Sequence, residues 1–338
     1  MNWAQGYTAE YYMAVVDPVT WRDIARVEIQ SGSISRNNEG IRQTGSFVVS
    51  EYSQSVEQWV RVWLNTKQNG ASDHVALFTG LATTPQRSYD GVRNNSTLTA
   101  YSVLKPLEDV LLLRGWYAAK GKNGGDVIRG LLSKTPAPVV LDAVSPALSD
   151  HIIAEDNETV LSMIDKILDS MGWRLRVNGA GEIHIAPPPT RESFLFDPNA
   201  NDMLETQVSV TEDLFAAPNV FAATNNDITA IAKDETAGPL SIGSRGREVW
   251  ESESSVTLAD NETIERYAMR RLKESQDVQK TAQYTRRFLP DLVPGDVVNL
   301  RYPAQELNGL FEVTGQNITL GFAARTQEDV KKWTASIN

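Results

Sequence analysis

The chain has 338 residues, 41% of them hydrophobic, no cysteine and a formal net charge of -11. That length and apolar content can bury a substantial core and divide into two or more domains. The charge argues against tight binding to a phosphate backbone, whose affinity comes from cationic side chains that displace counterions. The missing cysteines exclude disulfides, thiolate nucleophiles and thiolate metal sites together. No run approaches the roughly 18 apolar residues of a membrane span, and the first residues lack the basic, apolar and small-residue succession of a secretory signal. A cytosolic origin is the simplest expectation; outside a cell such a protein would rely on packing and oligomerisation.

The first hundred residues read as strands. Tyr11 to Val16, Ile24 to Ile29, Ser46 to Val49, Trp59 to Leu64, His74 to Leu81 and Ser96 to Tyr101 are rich in β-branched and aromatic residues. The turn clusters Asn37-Asn38-Glu39-Gly40, Asn69-Gly70 and Asp90-Gly91 separate them, a spacing that suggests a barrel or sandwich. Trp59 and Trp63 alternate with Val60 and Val62, so both faces of that strand are expected to be covered, one by the core and the other by a neighbouring subunit.

After Tyr101 the period changes. Ser102 is placed to cap a short helix carrying Leu104, Leu107, Val110 and Leu111, with Pro106 in its first turn. A second helix opens at Asp126, with Val127, Ile128, Leu131 and Leu132 on one side, and closes before Pro136. The clearest helix runs from Glu158 to Met171, with Asn157 as N-cap, an apolar stripe from Val160 to Met171 and Gly172 as its stop. Trp173 to Val177 and Glu182 to Ala186 follow as strands around the hairpin signal Asn178-Gly179. Pro187-Pro188-Pro189 must run extended and marks a boundary.

Strand character resumes at Glu205 to Val210, Pro218 to Thr224, Ile228 to Ala232 and Arg247 to Glu253. Asn261 is placed to cap a helix bearing Ile264, Tyr267, Ala268 and Leu272, with acidic residues Glu262 and Glu265 early and Arg270, Arg271 and Lys273 late, matching the helix dipole. Lys280 to Leu289, Val297 to Leu300 and Leu310 to Leu320 complete a second β region. Pro294-Gly295 fits a tight turn, and Asn308-Gly309 is a second hairpin signal. No sequence repeat links this region to the first.

Chemistry-bearing residues are sparse in pattern. A glycosidase needs two carboxyl groups about 5 to 10 Å apart, and among 43 acidic residues such pairs arise by chance. Asp296 is better read as an aspartate accepting turn hydrogen bonds, and Asp156, with Glu155 and Glu158, as helix-start charge. His74, His151 and His184 stand apart, without H-E-x-x-H spacing. Gly121-Lys-Asn-Gly-Gly125 precedes a helix but lacks the Lys-Ser/Thr ending of a phosphate loop, and no G-x-S-x-G stands between a strand and a helix. Trp3, Trp116 and Tyr117 could stack on sugars, but core or interface packing is the simpler role. The pairs Arg270-Arg271 and Arg286-Arg287 are expected on solvated faces. No catalytic, cofactor-binding or metal residue is assigned.

Three stretches occur in a telling order: Ile29-Gln-Ser-Gly-Ser-Ile-Ser-Arg-Asn37, then Glu158 through Ile185, then Val293-Pro-Gly-Asp-Val-Val298 with Gly309-Leu-Phe-Glu-Val-Thr314. In this order the chain resembles the baseplate hub, or tail hub, proteins of tailed bacteriophages and related contractile injection systems. The resemblance implies an α+β chain with two β-barrel-like, tail-tube-like domains at residues 1–101 and 190–338, the second with one helix, and an α+β insert module at 102–189. It also implies a non-enzymatic homotrimer in the virion tail tip, made in the host cytoplasm. Six similar barrels would meet a six-fold tube or distal tail protein and present three-fold symmetry to a central spike or tail fibre. A tape measure protein would be a further neighbour, no cofactor is required, and DNA would pass through the lumen without specific binding. A hexameric distal tail ring protein and a carbohydrate- or receptor-binding β module are the competing readings, with a cell-wall hydrolase behind them.

Overall fold

Alternating side chains and tight turns give the N-terminal region its strands. They are β1 (Thr8–Val16), β2 (Asp23–Asn37), β3 (Gln43–Ser50), β4 (Gln58–Gln68), β5 (Ala71–Ala82), β6 (Gln86–Tyr89) and β7 (Asn94–Ser102). The computed structural model describes residues 1–50, 57–83, 85–89, 91, 94–197, 203–212, 214–225, 228–254, 256, 263–277, 280–302, 307–321 and 324–333; the expected turn residue Asp90 lies outside them. Asn69 and Gly70 both hold positive φ, 49° and 83°, the two-residue turn whose twist matches the β4–β5 hairpin. Met13 of β1 lies opposite Val27 of β2 on one side and Val62 of β4 on the other, so the path β1-β4-β5-β7-β3-β2 closes into a ring. Ile34, Phe47, Val60, Val62, Leu64, Phe78 and Leu98 fill it.

The middle segment packs three helices against small sheets. It contains α1 (Lys105–Glu108), β8 (Tyr117–Ala118), α2 (Gly124–Leu132), β9 (Val139–Leu141), β10 (Ile152–Ile153), α3 (Val160–Met171), β11 (Arg174–Val177) and β12 (Ile183–Ala186). One apolar cluster, from Val103 and Leu107 through Ile128, Leu161, Ile164 and Ile167 to Ile185, joins them. Several helix expectations change: the N-cap of α1 is Leu104, not Ser102, and α2 opens at Gly124, two residues before Asp126. The first helix stops at Glu108, because the backbone of Val110 and Leu112 bonds to Val160 and Glu158 instead, leaving Val110 and Leu111 outside it. The cap of α3 is Thr159, whose hydroxyl accepts the Ser162 N–H at 3.1 Å, while Asn157 takes a left-handed turn at φ 64°.

Beyond the three prolines come β13 (Phe194–Phe196), β14 (Leu204–Glu212), β15 (Val220–Asn225), β16 (Ile228–Lys233), α4 (Ile242–Arg245), β17 (Trp250–Ser254), α5 (Ile264–Asp277), β18 (Lys280–Arg287), β19 (Val297–Tyr302), β20 (Leu307–Leu320) and β21 (Arg325–Lys332). These strands fall into two sheets with separate apolar clusters. Strands β13-β19-β20-β21-β18-β14 form a sheet around Phe196, Tyr284, Val298, Leu300, Phe311 and Val330. Strands β16-β15-β17 form a separate sheet with α5 on one face, around Phe221, Ala223, Tyr267 and Leu272. A second helix, α4, capped by Ser241, joins α5 here; the expected cap Asn261 and the early acidic residue Glu262 lie outside the described residues. The Asn308-Gly309 turn is also corrected: both residues lie inside β20, opposite Arg301 and Leu300.

The two large β regions are one sheet, because β2 and β20 each serve two partners along one edge. The first half of β2 pairs with β1 and its second half, Gly32 to Asn37, pairs with Leu320 to Gly315 of β20. Likewise β20 gives its first half to β19 and its second half to β2. The opposite edges carry β3 and β21. The meanders β1-β2-β3 and β19-β20-β21 therefore repeat one topology, with Ile34 opposite Ile318 at their meeting point.

Candidate assembly surfaces and the junction behind them

The hairpin β11-β12 ties the insert to both β regions. Its turn, Asn178 to Gly181, lies against the outside of the ring. Thr79 Oγ1 donates to the Gly179 carbonyl at 2.8 Å, and Trp21 Nε1 and Arg61 Nη2 donate to the Ala180 carbonyl at 3.2 and 3.1 Å. Only glycine fits at 179, since a Cβ there would stand 1.8 Å from the Ala76 carbonyl oxygen. The other end of the hairpin reaches the second region. Arg176 donates to Asp296 Oδ1 at 2.7 Å and to the Gly295 carbonyl at 2.6 Å, and Arg174 donates to Glu312 Oε1 at 2.5 Å. Between them lies a charged cleft of about 530 Å³, walled by Arg42, Asp165, Asp169, Arg174, Glu312 and Lys331 among others. Burial, and then the neighbouring Asp165 carboxylate, push the Asp169 carboxyl up from its ordinary value.

A second polar group lies where the two β regions meet. Glu328 is 0% exposed and accepts from Arg286, from Gln316 Nε2 at 2.6 Å and from the Tyr284 hydroxyl at 2.5 Å. Burial, and then Glu328 itself, hold the Tyr284 phenol well above its ordinary value, so it remains a donor. Arg36 is buried on the same seam and donates to the Leu77 carbonyl. Burial and then Arg286 bring its guanidinium down to about 10, which still leaves it charged at neutral pH.

The residues weighed in the sequence scatter. Asp296 receives the Val293 N–H at 3.0 Å and pairs with Arg176, so it closes the Pro294-Gly295 turn and clamps the insert. His74 stacks on Trp63 with ring centroids 3.9 Å apart and meets the Tyr12 hydroxyl; His184 faces Asp142; His151 lies beside Tyr117. Glu155 and Glu158 both reach Lys166, and Asp156 faces Arg114. Gly124 and Gly125 open α2, where a Cβ would meet Met171 and Ser145, so they are packing glycines beneath the Asn123 cap. Trp3, half-buried, packs edge-on against Tyr7 and Phe288. Trp59 packs against the insert cluster, so the outer face at that point is covered within the chain. Arg270 and Arg271 pair with Glu274 within α5, and Arg271 also reaches Glu253 of β17. Arg286 is corrected: it is 1% exposed and bonded to Glu328. Among the described residues, no three His, Asp or Glu side chains are grouped to hold a metal, and no helix is long and apolar enough to cross a membrane.

Some large apolar side chains are left uncovered. Leu111, Leu113, Tyr117 and Ile153 stand exposed on the insert, and Ile231 and Trp250 on β16 and β17.

This β-rich architecture matches the fold of phage tail proteins. The tail protein of Neisseria meningitidis MC58 superposes with a TM-score of 0.68 at 16% identity, covering 97% of each chain. The 43 kDa tail protein of prophage MuSo2 from Shewanella oneidensis gives 0.68 at 11% identity, over 96% of this chain and 98% of that one. A component of the E. coli type VI secretion system, described as structurally similar to the bacteriophage T4 tail proteins gp27 and gp5, gives 0.50 at 8% identity over 91% and 74%. At the level of sequence, no family description and no curated protein matches. The resemblance read from residues 29–37, 158–185 and 293–314 therefore holds at the level of fold.

Proposed function

We propose that the chain is a structural hub protein at the distal end of a phage tail tube or a related injection apparatus, acting by assembly and not by catalysis. The observation that carries this reading is the match over 96–97% of the chain to two tail proteins. It is supported by the repeated meander, which gives each subunit two tube-like units joined at β2 and β20. Three copies then supply six such units to a six-fold tube and three-fold symmetry to a spike or fibre, through interfaces that close on themselves. The tube or distal tail protein, the spike and the tape measure protein are its partners in the virion, and an acidic lumen lets DNA pass without adhesion. The mass of the isolated protein in solution tests this: a trimer is expected, a hexamer would favour a distal tail ring, and a glycan-binding monomer would overturn both.

A further inference from the structure

Five buried side chains with polar ends stand in one row across the joined β regions. Gln43 of β3 lies opposite Arg36 of β2, Arg36 opposite Gln316 of β20, Gln316 opposite Glu328 of β21, and Glu328 opposite Tyr284 of β18. Directly opposed residues share a face of the sheet. The end of the row around Glu328 is well bonded, but the other end is not. Among the described residues, Arg36 Nε and Gln43 Oε1 have no hydrogen-bond partner, and Arg36 meets Gln316 Oε1 only at 3.5 Å. The bonds Arg36 does make go to the Leu77 carbonyl and to Gln316, neither of them a carboxylate. Such a row is a poor stabiliser, since apolar side chains of similar size in its place are often neutral or better; what buried polar groups do supply is registry.

Apolar pairing alone leaves the register of this joint open. Gly32, Ile34 and Arg36 lie opposite Leu320, Ile318 and Gln316. A shift of two residues keeps the same faces inward, and it gives Ile34 the Leu320 side chain in place of Ile318, an exchange of near-equal apolar partners. The same shift sets Arg36 against Ile318 and carries Gln316 opposite Asn38, beyond the end of β2, so two buried polar groups lose each other. We propose that the Arg36–Gln316 pair, within this row, is the key that fixes the register in which the two β regions join. Each half of the key is anchored independently of the other. Glu328 and the Leu292 carbonyl hold Gln316 Nε2 at 2.6 and 2.7 Å, and the Leu77 carbonyl holds Arg36.

The test uses the full chain, whose lack of cysteine lets introduced pairs report the register. Ser35→Cys and Asn317→Cys are opposed in the native register, whereas Ser35→Cys and Thr319→Cys are opposed only after the two-residue shift. All three positions are exposed. Each pair is oxidised during refolding from urea, and the disulfide yield is read by mass spectrometry after digestion. In the otherwise native chain the first pair should close and the second should not. Arg36→Met with Gln316→Leu should raise the yield of the shifted pair roughly tenfold or more, because the shift no longer strands a buried polar group, while the chain still melts cooperatively. Exchanging the two residues, Arg36→Gln with Gln316→Arg, should return the yield to its native level. The proposal is overturned by a shifted pair that stays open in the doubly apolar chain, that closes in the native one, or that closes as readily in the exchanged chain as in the doubly apolar one. Should Arg36→Met with Gln316→Leu fail to refold, Gln316→Leu alone, which leaves Arg36 on the Leu77 carbonyl, is read by the same yields.

Discussion

The seam between the two β regions and the clamp on the insert are both built from arginine and carboxylate, yet they sit on opposite sides of the water boundary. In the seam, Arg286 and Glu328 are 1% and 0% exposed. In the clamp, the side chains of Arg174 and Arg176 keep about a third of their surface in solvent, 32% and 29%. A buried pair gains little over an apolar one but leaves a stranded charge when halved, whereas a partly wet pair is screened and forgiving. The seam therefore behaves as an all-or-none contact, and the clamp as an adjustable one.

The sharpest way to break this contrast is Glu328→Ala, which strands Arg286 and should cost about 3–5 kcal/mol in urea unfolding. The loss should barely change with salt, and replacing Arg286 and Glu328 together with methionine should recover most of it. Gly179→Ala comes next: the added Cβ meets the Ala76 carbonyl and should cost about 1–3 kcal/mol, as overpacking does. Its expected signature is faster proteolysis within residues 102–189 while the ring stays intact. Arg176→Met should cost about 1 kcal/mol after allowing for exposure, and that loss should shrink as salt rises, which the Glu328 variant must not do.

A pH scan tests a third kind of carboxylate. Burial raises the Glu158 pKa, but the Glu155 N–H, Lys166 and Ser162 outweigh it and leave it below the ordinary glutamate value. A depressed folded pKa contributes stability that is present above the unfolded value and lost as pH falls through the folded one. Melting temperatures of wild type and Glu158→Gln should therefore converge in acid and separate near neutrality. The smallest effect is expected at Lys105, whose pairs with Glu108 and Asp109 are exposed. Lys105→Met should change stability by less than about 0.5 kcal/mol.

Legibility in the sequence followed the same boundary. Strands with apolar residues inside were readable: β4 with Val60 and Val62, β19 with Val297 and Val298, and helix α3 with its stripe. Strand β21 was not, because its inward positions are Thr326, Glu328 and Val330, so a period of two is present but written partly in polar residues. The polar second half of β2, where Ile34 and Arg36 point inward, was missed for the same reason. Adjacent arginines at 270–271 and 286–287 look alike in sequence and part company only through the strands that cover the second pair. The repeat of β1-β2-β3 in β19-β20-β21 resides in pairing order, which residue identities do not encode. The hairpin signal at Asn178-Gly179 was visible, but its contact with Ala76, about a hundred positions away, was not.

The split edges of β2 and β20 have a mechanical consequence. Each strand is woven into its own β region by one half and into the other region by the rest, so a load along these strands must slide the rungs from Gly32 to Asn37 against Leu320 to Gly315 all together. Rungs loaded in parallel fail as a group, unlike a hairpin that can be peeled one rung at a time. This geometry makes a joint that gives no warning stretch: it stays stiff until it yields.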